Sequence, residues 1–423
     1  MANDDSLKQV IAQVNENFED QLQFLSELVR FPSVVGREAD AQKFYADACT
    51  KEGLAVELFE AEKERVQNHP AYIESGFEFS GRPNMIATLK GTRKGRSLIL
   101  NGHMDVVSPE PVDSWSVDPW GGEIIENRLY GRGSLDMKAG VSANLFAMKA
   151  LMDCGLELAG DVILESVIEE ELGGGGGTLA CFLRGITADG MLISEPSRQF
   201  VWITHPGIKY FRIKILGKPA HAALSHTGVN AIVKMVPVIQ ALEQLDQKRA
   251  ASLSYPKVEE QTGRSCNLSI GTMAAGDWVS TVAGWATLEC RVGFVPGETG
   301  EEVKAQVEDT ITEAVKGDQW LEEHPPQVEW FGWNAEPWVE REDSAFLKTF
   351  ADTCTQVLGI KPRLTGASGG LDTRFGTMFD TPSLSFGPDG ANYHGIDEYV
   401  DIATLREVTQ TLATFIPKWC GLA

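Results

Sequence analysis

The chain has 423 residues, and its 37 Lys and Arg stand against 60 Asp and Glu, for a formal net charge of −23. An acidic surplus of that size excludes a nucleic-acid binder, which needs cations to displace counterions from phosphate. With 43% hydrophobic and 23% charged residues, the composition suits a globular protein with a large core and excludes disordered and fibrous classes.

The length predicts two domains, one of them interrupted. No stretch approaches the roughly 18 consecutive apolar residues of a membrane span, and the start MANDDSLKQV is polar and acidic where a secretory leader is basic and then apolar. The expected compartment is the cytoplasm, with no membrane partner. Seven cysteines (Cys49, Cys154, Cys181, Cys266, Cys290, Cys354, Cys420) form no C-x-x-C pair and read as reduced packing thiols.

In chain order, Val10, Ile11, Val14, Phe18, Leu22, Leu25 and Val29 have helical spacing, so 6–30 reads as one helix that Pro32 stops. Apolar runs at 97–101, 162–168, 191–193 and 383–386 read as strands. Between the first two, Val141, Leu145, Met148 and Leu151 predict a helix over 136–151, with Gly155 placed to end it. Alternating strands and helices predict an α/β domain with a mostly parallel sheet covered by helices. The middle has another rhythm. Phe211, Ile213 and Ile215 alternate with Arg212 and Lys214, a helix follows over 230–245, then strands 267–273 and 287–294, a helix 301–315 and a strand near 327–333. That β-α-β-β-α-β order predicts a ferredoxin-like unit at 201–336, inserted between residues 1–200 and 337–423 of the α/β domain.

Each apolar run of the α/β part is followed by metal-ligand residue types: His103 and Asp105 after the first, Glu169, Glu170 and Glu171 after the second, Glu195 after the third and His394 after the fourth, while Asp136 precedes a helix. Ligand sites of open α/β sheets lie beyond the carboxyl ends of the strands, so these residues converge on one crevice. Alone, an acidic triplet reads as a solvated charge run. At the ends of buried strands, however, unpaired carboxylates are costly, and a cation would neutralise them.

Four other features carry weaker signals. The glycine run 173–177 has three carboxylates before it, which would repel a pyrophosphate. Residues 366–370 match G-x-S-x-G with His394 downstream, which leaves a metal-independent serine hydrolase using Ser368 as an alternative, although 360–365 makes a poor elbow strand. His221, read locally, is structural. Trp278, Trp285, Trp330, Trp333 and Trp338 are candidates to line an aromatic pocket.

The segments NGHMDVV (101–107), YGRGSLDMKAG (130–140), EEELGG (169–174), ISEPS (193–197), GKPAHAA (217–223), ECRVGFVPGE (289–298), GGLDTRFG (369–376) and FGPDGANYHGIDE (386–398) occur in the order found in a known family. The chain resembles the two-metal amidohydrolases and metallopeptidases that include acetylornithine deacetylase, succinyl-diaminopimelate desuccinylase, aminoacylase and glutamate carboxypeptidase. The resemblance implies a catalytic α/β domain interrupted by a lid, and a homodimer or higher homo-oligomer formed through that lid. It implies that Asp136 bridges two divalent metals, that His103 and Glu195 complete one site, and that Glu171 and His394 complete the other. Zinc is the first expectation, with manganese or cobalt as alternatives. Asp105 would hold His103, Glu170 matches the general base, with Glu169 beside it where Asp is commoner, and His221 would reach in from a lid, its own or a partner's, to stabilise the oxyanion.

Metal lowers the pKa of bound water so that a carboxylate can deprotonate it. The expected reaction is therefore hydrolysis of an N-acyl or amide C–N bond in a small molecule. Arg291, Asn267 and Arg374 resemble positions near the substrate, and arginine suits a carboxylate-bearing one; the alternative is that Arg291 merely pairs with Glu289. The chain departs from relatives at His226, at Ala274 and Ala275, and at Ala283. These changes lie in the lid, and they leave open an aromatic or heteroaromatic amide, formamide or amine as substrate. A non-catalytic binding relative is the third class of reading.

Overall fold

The computed structural model describes residues 4–92 and 95–423. In chain order its main elements are β1 (Ala55–Glu60), β2 (Pro83–Leu89), β3 (Leu98–His103), α1 (Lys138–Asp153), β4 (Val162–Val167), β5 (Met191–Ile193), β6 (Val201–His205), β7 (Gly207–Leu216), α2 (Ala231–Ser252), β8 (Leu268–Ala275), β9 (Trp285–Phe294), α3 (Gly300–Ala314), β10 (Gln327–Ala335), β11 (Ser383–Ser385) and α4 (Ile402–Cys420). The chain forms two compact units. One takes in residues up to 203 with 339–366 and 371–423, the other 204–338 with 367–370.

The first unit is built on a nine-stranded sheet, seven of whose strands run β1-β2-β4-β3-β5-β11-β6. Four neighbours, β4, β3, β5 and β11, are parallel, while β2 and β6 run antiparallel to them. Leu98, Ile99 and Leu100 of β3 are fully buried, the uninterrupted apolar pattern of a strand covered on both faces. His103 pairs with Val167 and Asn101 with Ile193, so the carboxyl ends of three parallel strands lie level. The expected α/β class with a mostly parallel centre is thus what the chain adopts.

Helix α1 covers the sheet with Val141, Leu145, Met148 and Leu151, all buried, and Gly155 leaves it at φ +66°. Helix α4 packs beside α1. The N-terminal helix departs from expectation. It is split into Asp4–Glu16 and Phe18–Val29 by Asn17, a weak helix former whose side-chain amide donates to Asp153 Oδ2 at 2.7 Å.

The second unit is an antiparallel sheet in the order β8-β9-β7-β10, the ferredoxin-like arrangement of a β-α-β-β-α-β chain. Alternation works as expected: Phe211, Ile213 and Ile215 share one core with Met235, Val238 and Leu242 of α2 and Val303, Val307 and Ile311 of α3. Asn230 caps α2 and Thr299 opens α3 with a capping box. The expected tryptophan pocket does not form as one cluster. Trp330 packs on Phe211 in the helix-covered core and donates to Glu308, Trp338 is buried beside His205, and Trp278 is exposed.

Candidate metal centre

His103 is the last residue of β3, Glu195 lies two residues past β5, and Glu170 and Glu171 sit in the short 3-10 turn that follows β4. The parallel core thereby delivers ligand types from three strand ends to one edge, and His394 comes from the segment after β11. The residues gather as two triads that share one carboxylate: His103, Asp136 and Glu195 on one side, and Asp136, Glu171 and His394 on the other. His103 Nε2 lies 3.2 Å from Asp136 Oδ1 and 3.6 Å from Glu195 Oε1. His394 Nε2 lies 3.4 Å from Asp136 Oδ2 and 3.0 Å from Glu171.

Charge and burial at these groups favour a bound cation. Burial pushes the Glu195 carboxyl well above the usual range. Burial alone would lower His103, but the charges of Glu195, Asp136, Asp105 and Glu170 outweigh it and hold the imidazole well above its ordinary value. His394 rises to about 10 through its contacts with Asp136 and Glu171. Protonated imidazole therefore takes the part of a cation among these acids. Glu195 Oε1 and Glu170 Oε1 are buried with no hydrogen-bond partner among the described residues, and a cation beside them would satisfy these carboxylate oxygens. Two imidazoles with three or more carboxylates match a divalent transition metal in both donor type and number.

Asp105 meets His103 Nδ1 through its main-chain carbonyl, at 2.8 Å, while its carboxylate lies 3.7 Å away. A carbonyl can only accept, so Nδ1 keeps its proton, and Nε2, which faces the triad, is the nitrogen that would shed its own proton to bind a metal. The Asp105 carboxylate instead accepts the N–H groups of Glu170 and Glu171, at 3.2 and 3.1 Å, and burial raises it to about 8. Asp105 therefore fixes a ligand through its backbone and the Glu170–Glu171 turn through its side chain.

The other expected residues fall in several places. Arg374 is buried on a short helix, and its guanidinium donates to the carbonyls of Leu371 and Gly173, bracing the glycine run. In the second unit, Arg291 is half-buried on β9 and makes no ion pair among the described residues, because Glu289 is taken by Arg212 at 2.7 Å. Asn267 accepts from Arg264 at 3.2 Å. His221 is exposed, its Nδ1 accepting the Ala223 N–H. Ser368 is exposed in a bend, and the next helix begins only at Thr373, so the strand-turn-helix elbow of a serine hydrolase is missing there.

Sequence reasoning missed Glu398. Its buried carboxylate accepts the N–H groups of Gly133, Leu135 and Asp136, each at 3.0 Å, and an Arg132 N–H at 2.5 Å, cradling the loop that presents the shared Asp136. Lys138, also missed, is fully buried and ties the carbonyls of Leu28 and Phe31 to the start of α1.

Comparison with known proteins gives the family of the chain. The model of peptidase family M20/M25/M40 matches residues 99–418. The chain is 30% identical to the N-formyl-4-amino-5-aminomethyl-2-methylpyrimidine deformylase of Halalkalibacterium halodurans, with 98% of each chain covered. It is 28% identical to the succinyl-diaminopimelate desuccinylase of Methylobacterium radiotolerans, over 92% of this chain and 94% of that one. Its fold resembles that of the di-peptidase Dug1p from Saccharomyces cerevisiae, with a TM-score of 0.76 at 16% identity and 98% of each chain covered. The chain belongs to peptidase family M20/M25/M40 and is a hydrolase that acts on amide C–N bonds.

Proposed function

We propose that this hydrolase holds two divalent metals, zinc first and manganese or cobalt as alternatives, and cleaves the N-acyl bond of a small carboxylate-bearing molecule. The observation that carries the reading is the pair of triads meeting at Asp136 beside a buried Glu170 oxygen that has no donor. His103 and Glu195 would hold one metal, Glu171 and His394 the other, and Asp136 both. Bound metal would acidify water and polarise the amide carbonyl. Glu170 takes the proton of the attacking water and returns it to the leaving nitrogen. Its neighbour Glu169 is unsuited to that work, because Arg82 and Ser75 occupy its carboxylate.

Arg291, with no ion-pair partner on its own strand or beside it, is assigned to the substrate carboxylate, with Asn267 and Arg374 near the substrate. His221 is assigned to the oxyanion, from its own chain or from a partner's in a dimer formed through the second unit, where β8 is an edge strand. No helix among the described residues is long and apolar enough to cross a membrane, and the cytoplasm is the proposed compartment.

A second reading, a heteroaromatic formamide as substrate, is favoured by the deformylase likeness, which extends over 98% of both chains. One panel separates the two: N-succinyl and N-acetyl amino acids against N-formyl aminomethylpyrimidines, assayed with added zinc, manganese or cobalt. A preference in kcat/KM of about a hundredfold or more for the acyl amino acids is the expected result. The reverse preference would establish the formamide reading, and turnover of neither class would sink both.

A further inference from the structure

The residue before the proposed base sits in an unusual conformation. Glu169 has φ +65° and ψ +19°, the left-handed region that a side-chain-bearing residue enters only when its surroundings hold it there. What holds it is a buried ionic clamp. Glu169 Oε1 accepts from Arg82 at 2.6 Å and from Ser75 Oγ at 2.8 Å, and Oε2 accepts the Gly176 N–H at 3.3 Å. Arg82 grips Glu38 with its other edge, at 2.9 and 2.6 Å, and all three charged side chains are buried. The left-handed corner turns the next two N–H groups the same way, so that Glu170 and Glu171 both donate to Asp105. The turn bearing the base is thus fixed at both ends, by Asp105 in front and by the Arg82–Glu169 pair behind.

We propose that Arg82 is a positioning residue for the general base, acting through Glu169 and set in place by Glu38. The inference rests on the assignment of Glu170 as base. Lysine at position 82 would keep the charge between two buried acids, but it lacks the planar fork that bonds Glu38 and Glu169 at once. The corner would relax and Glu170 would drift by a fraction of its working distance, the kind of displacement that lowers turnover about 10- to 100-fold.

The test measures kcat, KM and metal content for Arg82→Lys, Ser75→Ala, Glu170→Gln and the double variant Arg82→Lys/Glu170→Gln. Arg82→Lys should lower kcat about 10- to 100-fold with KM within about twofold and metal content unchanged, and it should add nothing in the Glu170→Gln background, where no base remains to be placed. Ser75→Ala, which removes the hydroxyl bond to Glu169 and the one that Ser75 Oγ accepts from the Phe77 N–H but spares the ion pairs, should lower kcat about threefold or more in the same pattern, and it decides the matter if Arg82→Lys does not fold. Unchanged kcat in the folded, metal-loaded variants, a loss of metal that accounts for the fall, or a full additional loss in the double variant would overturn the proposal. High activity in Glu170→Gln would instead remove the base assignment itself, a distinct result.

Discussion

The two triads that share Asp136 are alike in composition and opposite in exposure. His103 is 1% exposed and Glu195 nearly as buried, whereas the His394 side chain is 48% exposed. The buried half is built on ends of central strands, where the sheet fixes each ligand before any metal arrives. The open half depends on His394, which lies in the irregular segment after β11 at φ +59°. A rigid, dry half suits the holding of an ion, and an open half suits its approach by solvent and substrate. The unpartnered Glu170 oxygen belongs with the buried half, close enough to Glu195 for that charge to raise it further after burial.

The comparison can be broken at its shared point first. Asp136→Ala should remove both halves together, so metal content falls from about two per chain to none and amide turnover falls to background. One metal retained would show that the halves are independent. Next in size, Glu170→Gln should lower kcat about a thousandfold with metal content unchanged, and retention of most activity would refute the base assignment. The single histidines then sharpen the contrast. His103→Ala leaves buried acids unpaired and should cost roughly 3 kcal/mol of stability in the metal-free protein. His394→Ala, at the open and solvent-screened end, should cost less. Denaturant titration of the two stripped variants checks the difference, and equal losses would erase it.

The smallest effect is in pH. His394 is raised above its ordinary 6.5 to about 10 by Asp136 and Glu171, so its protonated form stabilises the metal-stripped fold. That contribution is complete below about 6.5 and is lost as pH rises through about 10. Stripped protein should therefore lose stability across that window while reloaded protein does not, and metal uptake near neutral pH should release protons in calorimetry run in two buffers. Uptake without proton release would contradict the histidine assignment.

Much of the fold and of the metal cluster was legible in the sequence because both obey local rules. A strand covered on both faces is a short apolar run, and a ligand at its carboxyl end lies within three residues of that run, as at His103, Glu171 and Glu195. The second unit was readable through alternation, with Phe211, Ile213 and Ile215 facing one core. What escaped is long-range. Arg132 and Glu398 are 266 positions apart, Arg82 meets Glu169 across 87, and nothing in the neighbourhood of either residue announces a buried ion pair. Which atom of Asp105 meets His103 was also not legible, because the segment after β3 presents the carbonyl of Asp105 to His103. The split of the first helix at Asn17 likewise depends on a distant partner, Asp153.

The central claim is that the two triads hold metals that make the chain an amide hydrolase. Elemental analysis of gently purified protein, before and after chelation and paired with amide turnover, tests it most directly. The account predicts about two metals per chain, activity lost on chelation, and activity restored by zinc, manganese or cobalt. Protein that carries no metal, takes none up and turns over amides in the presence of chelator would contradict it.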